Sequence, residues 1–229
     1  MLYAIGDLHL SLGTDKPMDV FGDAWKNHIN RIKYGFSSLT EDDTCVICGD
    51  ISWGMTNEEC LPDFKFIDSL PGKKIILKGN HDFWWSTQTK INKFFEENGI
   101  SSIKILHNNF FPVGDLAVCG TRGWFYEEEQ KGGEHDKKIM LREVGRLETS
   151  LKAADGYEKK YCFLHYPPVY GDYICHEITE LLNDYGVTKC FFGHIHGFGI
   201  KAATQGYRDG TDFRLVSADY LGFTPIRVI

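Results

Sequence analysis

Residues 74–82 read Lys74-Ile75-Ile76-Leu77-Lys78-Gly79-Asn80-His81-Asp82. A short apolar run breaks at a glycine and hands over to three residues able to bind a metal or move a proton. The run predicts a buried strand, and the glycine lets the backbone turn sharply and approach a site closely. The same order recurs along the chain. Residues 2–5 lead through Gly6 to Asp7 and His9, and residues 44–48 lead through Gly49 to Asp50. Residues 161–164 precede His165, and residues 189–192 lead through Gly193 to His194 and His196. Open α/β sheets bind ligands at the carboxyl ends of their strands. Five predicted strand ends therefore deliver polar residues toward one edge.

Helical patterns fill the intervals. Residues 20–34 carry Phe21, Trp25, Ile29 and Ile32 at helical spacing, and residues 57–69 read as a helix interrupted early by Pro62. Ser86 is the expected N-cap of a helix running to Asn98, with Gly99 placed to stop it. Met140, Val144, Leu147 and Leu151 line one face of another helix, and residues 174–185 a further one, with Ile178, Leu181, Leu182 and Tyr185 inward. Further strands are expected at 103–106, 116–119 and 213–217, and the charged, glycine-containing stretch 127–138 as an exposed loop. Alternating β and α elements indicate an α/β protein. With no linker, repeat or low-complexity tract, residues 1–229 read as one domain.

Composition narrows the function classes. Apolar residues make up 42% and charged residues 25%, which excludes global disorder. The net charge of −7 argues against a dedicated binder of duplex nucleic acid. It leaves an anionic substrate open, because bound metal ions reverse the sign locally. The seven cysteines, Cys45, Cys48, Cys60, Cys119, Cys162, Cys175 and Cys190, are odd in number, and several sit in strand-like runs as small hydrophobes. Cys45 and Cys48 have redox-motif spacing, but within a strand-like run rather than at a helix start. The chain reads as reduced and cytoplasmic. Its N-terminus reaches Asp7 too soon for a signal peptide, and no apolar run approaches the roughly 18 residues that span a bilayer.

Two metals about 3.5–4 Å apart require N and O ligands from several strands and a carboxylate that can bridge them. Imidazoles and carboxylates suit borderline to hard divalent ions, and the lack of cysteine at these strand ends argues against a structural zinc. Taken in order, Asp7-Leu8-His9, Gly49-Asp50, Gly79-Asn80-His81-Asp82, His165 and Gly193-His194-Ile195-His196 resemble the five blocks of the calcineurin-like metallophosphoesterases, across residues 7–196. The resemblance implies an α/β fold: a four-layer α/β/β/α sandwich of two mixed sheets flanked by helices, with a dinuclear site at one sheet edge. Asp7, His9 and His196 would hold one ion, and Asn80, His165 and His194 the other. Asp50 would bridge, and Asn80 would also meet the substrate. The cofactors would be two divalent or trivalent ions drawn from Mn, Fe, Zn, Co and Ni. A metal-activated water would attack phosphorus in line. His81, outside the ligand set, would protonate the leaving oxygen, and Asp82 would orient and charge-stabilise that imidazole.

The implied activity is metal-dependent phosphoester hydrolysis, as a phosphatase, a phosphodiesterase or a pyrophosphohydrolase. Fold and metals do not choose among these. Glu127, Glu128 and Glu129 disfavour a long polyanion, so a small phosphoester is expected. The competing reading is a non-catalytic scaffold of the same fold that binds a partner protein. The presence of His81 and all seven ligand positions weighs against it. Arg122, just after the strand expected at 116–119, is either a bidentate phosphate clamp or one half of a surface salt bridge. Trp53, Trp84, Trp85 and Trp124 also follow strand ends, as an aromatic wall of the site or as core plugs beneath its loops. His28, His107, His135 and His176 are expected to be surface or structural residues.

Overall fold

Alternation along the strands decides the layering. The structure, a computed structural model, describes residues 1–125 and 133–229. Strands β1 (Leu2–Ile5), β2 (Thr44–Ile47), β3 (Lys73–Ile76) and β4 (Ile103–Ile105) are separated by helices α1 (His28–Phe36), α2 (Leu61–Ser69) and α3 (Gln88–Glu97). Next come β5 (Phe110–Val113), β6 (Leu116–Thr121), α4 (Glu134–Ala153), β7 (Lys159–Leu164), the short pair β8 (Val169–Tyr170) and β9 (Tyr173–Ile174), and α5 (His176–Asp184). β10 (Lys189–Phe192), β11 (Gly206–Arg208), β12 (Thr211–Leu215) and β13 (Ile226–Arg227) complete the order. One sheet runs β13-β1-β2-β3-β4, and the other β11-β12-β10-β7-β6-β5. Each has a parallel centre with antiparallel strands added at its edges, β13 on β1, β11 on β12 and β5 on β6.

Period-2 side-chain placement then sends neighbours to different cores. On β1, Leu2 and Ala4 join the layer between the sheets, while Ile5 faces the helices with Ile32, Phe36, Phe64 and Ile91. On β6, Leu116 and Val118 face the other sheet, while Ala117 and Cys119 meet Met140, Leu147 and Leu151 of α4. Helices therefore cover both outer faces, and the expected α/β/β/α sandwich of two mixed sheets is what the chain forms. Each fully buried Leu, Ile or Phe stabilises it by about 1.5–3 kcal/mol.

Cys45 and Cys48, three residues apart on an extended strand, belong to opposite layers, which rules out a disulfide between them. All seven cysteines are free and buried, and burial pushes the Cys60 and Cys119 thiols up to about 12. Among the described residues, no helix is long and apolar enough to cross a membrane.

Several local expectations change. The pattern at 20–34 is not one helix: 3-10 turns at Met18–Phe21 and Asp23–Trp25 come first, broken by Gly22 at φ 120° and by Asn27 at φ 56°. The helix expected at 57–69 starts at Leu61, with Pro62 in the first turn where its missing N–H is no loss. Thr87 rather than Ser86 caps α3, accepting from the Lys90 amide. The expected loop 127–138 is in part helix, since α4 begins at Glu134 and carries His135, with Glu134 and Asp136 at its positive end. Glu127, Glu128 and Glu129 lie outside the described residues. β5, β11 and β13 were not expected; they are short edge strands, and β5 tolerates Pro112 for that reason.

Candidate metal centre

The parallel ladder continues past the strands into the loops that bear the polar residues. Asp7 N donates to the Gly49 carbonyl at 2.9 Å and His9 N to the Asp50 carbonyl at 2.9 Å. Gly6 N donates to the Val216 carbonyl at 2.7 Å, which joins the two sheets at this edge. The turns are tight enough to push Asp7, His9, Asp50 and His194 to φ values of 56°, 46°, 50° and 70°. A non-glycine residue in this left-handed region is uncommon, and each such position costs about 1–3 kcal/mol of strain. Two glycines make the close approach possible. A Cβ on Gly79 would collide with the Asp50 carboxylate, and one on Gly193 would lie 2.5 Å from Asp7 Oδ2.

These turns bring the seven candidate ligands together. Asp7, His9 and His196 offer donor atoms within 4.8 Å of one another, as do Asp7, Asp50 and His165. Asn80 Oδ1 lies 2.5 Å from His165 Nε2 and 3.0 Å from His194 Nδ1. His9 Nε2 and His165 Nε2 each stand 3.6 Å from Asp50 Oδ2, so Asp50 sits between the two groups.

Neighbouring acceptors orient the rings. His165 Nδ1 faces the Cys48 carbonyl at 3.0 Å, and His196 Nδ1 faces Asp219 Oδ1 at 2.8 Å. These contacts leave each Nε2 directed at the donor cluster, His165 Nε2 toward Asn80 Oδ1 and His196 Nε2 toward Asp7 Oδ1. His196 Nε2 is buried 3.6 Å from Asp7 Oδ1 and has no hydrogen-bond partner among the described residues. Asp219 also accepts from the Gly197 amide at 3.1 Å. Sequence reading missed Asp219, although it too stands shortly after a strand, β12.

The electrostatics are those of a cluster without its cations. Burial, then the charge of Asp7, lifts the Asp50 pKa to about 8. Burial works against the protonated His196, yet Asp7 and Asp219 carry it up to about 10. Burial followed by the charge of His165 lowers His194 to about 3. Burial alone would raise Asp7, but His196, His165 and His9 hold it well below the usual carboxylate range.

The other predicted residues separate. His81 is half-buried beside the donors, its ring centroid 4.4 Å from that of Trp53 and 5.7 Å from that of His9. Asp82 does not carry the His81 imidazole. Its Oδ1 accepts from the Ile51 amide at 2.8 Å, the Ser52 amide at 3.3 Å and the Trp84 indole at 3.1 Å, and its Oδ2 from the Gly79 amide at 2.7 Å. A fully buried carboxylate is thus the hub that ties the loop after β2 to the loop after β3. Burial, then Asp50, raises its pKa to about 6. Arg122 pairs with Glu143 at 3.3 Å.

Trp84 is core, and Trp53 stacks on His9 with centroids 5.1 Å apart. His28 is buried against Trp25, which fits a structural role.

No curated protein matches the chain significantly. Among solved structures, a phosphopantetheinyl hydrolase from Mycobacterium tuberculosis aligns at 12% identity with a TM-score of 0.58, covering 100% of this chain and 96% of its own. A protein of unknown function from Aquifex aeolicus aligns at 15% identity with a TM-score of 0.51, covering 99% of this chain and 94% of its own. At such identities these likenesses speak to the fold alone. The calcineurin-like phosphoesterase profile matches residues 2–198, a stretch that contains all seven candidate ligands and the strands that position them. The chain belongs to the calcineurin-like phosphoesterase family and is a metal-dependent hydrolase of phosphoester bonds.

Proposed function

We propose that the chain hydrolyses small phosphoesters with two metal ions at this edge. Asp7, His9 and His196 would hold one ion, Asn80, His165 and His194 the other, and Asp50 both. The observation that carries this reading is the convergence of the two donor groups on either side of Asp50. The donors fit such ions. All are N or O atoms, which suits Mn, Fe, Zn, Co or Ni, and the buried Nε2 of His196, 3.6 Å from Asp7 Oδ1 and without a hydrogen bond among the described residues, is a group that an ion would satisfy. Bound ions supply Lewis acidity toward phosphoryl oxygens and lower the pKa of a coordinated water toward neutrality.

The rest is the work of the chain's own groups. The Cys48 carbonyl and Asp219 fix the rings of His165 and His196. Asp82 holds the loops after β2 and β3 in register, and so the spacing of Asp50 and Asn80. His81 donates the proton to the leaving oxygen, its ring braced by Trp53. Trp53 serves as one wall of the site. Monoester and diester substrates both fit this chemistry. Three consecutive glutamates at 127–129 favour a small one.

The test is hydrolysis of monoesters, diesters and a phosphopantetheinyl ester by protein loaded with each metal in turn. Asp50→Asn should lower metal content as well as rate. His81→Ala should keep its metals and lose about 100- to 10,000-fold on alkoxide leaving groups. It should lose much less on p-nitrophenolate, which leaves unaided. Equal losses on both leaving groups would refute the acid role. Full metal content in Asp50→Asn would refute the bridge.

A further inference from the structure

A cavity of about 410 Å3 opens beside the metal centre and includes none of its seven candidate ligands. Lys78, Arg122 and Arg146 line it together with His107 and Trp85, and among the described residues its wall holds one carboxylate, Glu143. Glu143 is almost wholly buried. Its Oε1 accepts from Arg146 Nη1 at 2.6 Å and from Arg122 Nη2 at 3.3 Å, while its Oε2 accepts from Thr121 Oγ1 at 2.8 Å. The buried acid thus holds two guanidinium groups side by side against their mutual repulsion. Three full positive charges face one negative charge.

Most of the donors there are unused. A guanidinium carries five N–H groups, and among the described residues each of these two gives one hydrogen bond, to Glu143. Arg122 Nε is buried without a hydrogen-bond partner among the described residues, and so is the indole Nε1 of Trp85. Lys78 has no ion pair or hydrogen bond among the described residues, although it is only partly exposed. Buried donors without acceptors and concentrated like charge are both unfavourable. An anion in the cavity would relieve both at once, and paired arginines present the forked geometry that oxyanions take.

We infer that this cavity binds a phosphate-type oxyanion, with Arg122, Arg146 and Lys78 as charge partners and the Trp85 indole as a neutral donor. The volume is that of a small-molecule pocket, so the anion has room for an attached organic body. The cavity also adjoins the metal centre through the backbone. Lys78 precedes Asn80 by one glycine, and the Arg122 carbonyl accepts from the His165 amide at 3.1 Å. Two sources supply such a group: a second phosphoryl group on the molecule whose ester lies at the metals, or a free anion acting from outside the reaction. The site itself stands apart from the proposed reaction; its coupling to hydrolysis rests on that reading.

The test titrates the full chain, metal-loaded, with inorganic phosphate, by calorimetry and by the Trp85 indole resonance in 15N-edited NMR. Two binding events are expected in the wild type. Asp50→Asn should abolish the one at the metals and leave the one that moves Trp85. Arg146→Gln should weaken the Trp85-linked event at least about tenfold, by loss of charge-assisted contacts, and leave the other. Lys78→Met provides the same test should Arg146→Gln fold poorly, as judged by circular dichroism. A Trp85 resonance unmoved by phosphate, or moved equally in Arg146→Gln and Lys78→Met, overturns the inference. Asp50→Asn retaining both events instead counts against the metal reading alone. A KM raised by Arg146→Gln for a bisphosphate, but not for the matched monophosphate, assigns the anion to the substrate. An altered response to added phosphate, equal for both esters, assigns it to a free ligand.

Discussion

Asp82→Asn distinguishes a structural hub from a catalytic partner. The carboxylate is fully buried and accepts four donors, three through Oδ1 and one through Oδ2. An asparagine of the same shape brings one oxygen and one NH2 group. Its best placement leaves the oxygen with the Ile51 and Ser52 amides and the Trp84 indole. The NH2 then faces the Gly79 amide, which stood 2.7 Å from Oδ2. The change removes a hydrogen bond to a charged group, worth about 1.5–3 kcal/mol, and strands a buried N–H at a cost of about 1–3 kcal/mol. Together these come to about 2.5–6 kcal/mol. For a chain of this size each kcal/mol moves Tm by about 2–4 °C, so a fall of about 5–24 °C is expected. Scanning calorimetry of metal-free and metal-loaded protein measures it. The metal-loaded form should also bind its ions more weakly, because Gly79 leads directly to Asn80. An unchanged Tm with a large loss of rate and a displaced pH profile would refute the hub and return Asp82 to the side of His81.

Other outcomes follow from the same geometry. Buried Asp63 bonds the Ser52 hydroxyl at 2.5 Å and the Leu12 amide at 2.7 Å, and burial raises its pKa to about 6. A folded-state value above the unfolded one means that its stabilisation is complete below about pH 4 and is lost as pH rises through about 6. Asp63→Asn should therefore gain in Tm relative to wild type as pH goes from about 4 to 7, and a constant difference across that range would contradict this. Gly193→Ala should lose metal affinity and about 1–3 kcal/mol of stability, the usual cost of overpacking, because its Cβ would press on Asp7 and the Cys48 carbonyl. Gly145→Ala in α4, where a Cβ meets nothing, should instead stabilise by about 0.5–1 kcal/mol; denaturant unfolding of the pair checks both signs.

What the sequence determined by itself is the central strands and the polar residues that stand at their ends. Runs such as 44–47 and 189–192 are buried on both faces, so their side chains need not alternate in polarity, and short apolar blocks ending at a glycine mark them locally. Asp7, Asp50, Asn80, His165 and His194 could be read out because the turn that ends each strand is itself a local event.

The tertiary structure decided what each side chain faces. Asp82 neighbours His81 in the chain, yet its oxygens meet amides from a different loop, 30 and 31 residues away. Asp219 reaches His196 only because β12 lies beside β10. Arg122 finds Glu143 because α4 packs back across β6. Edge strands β11 and β13 exist only as additions to strands already in place. Hydrogen-bond partners and ion pairs at such separations are set by the packing of layers, and no spacing within one segment encodes them.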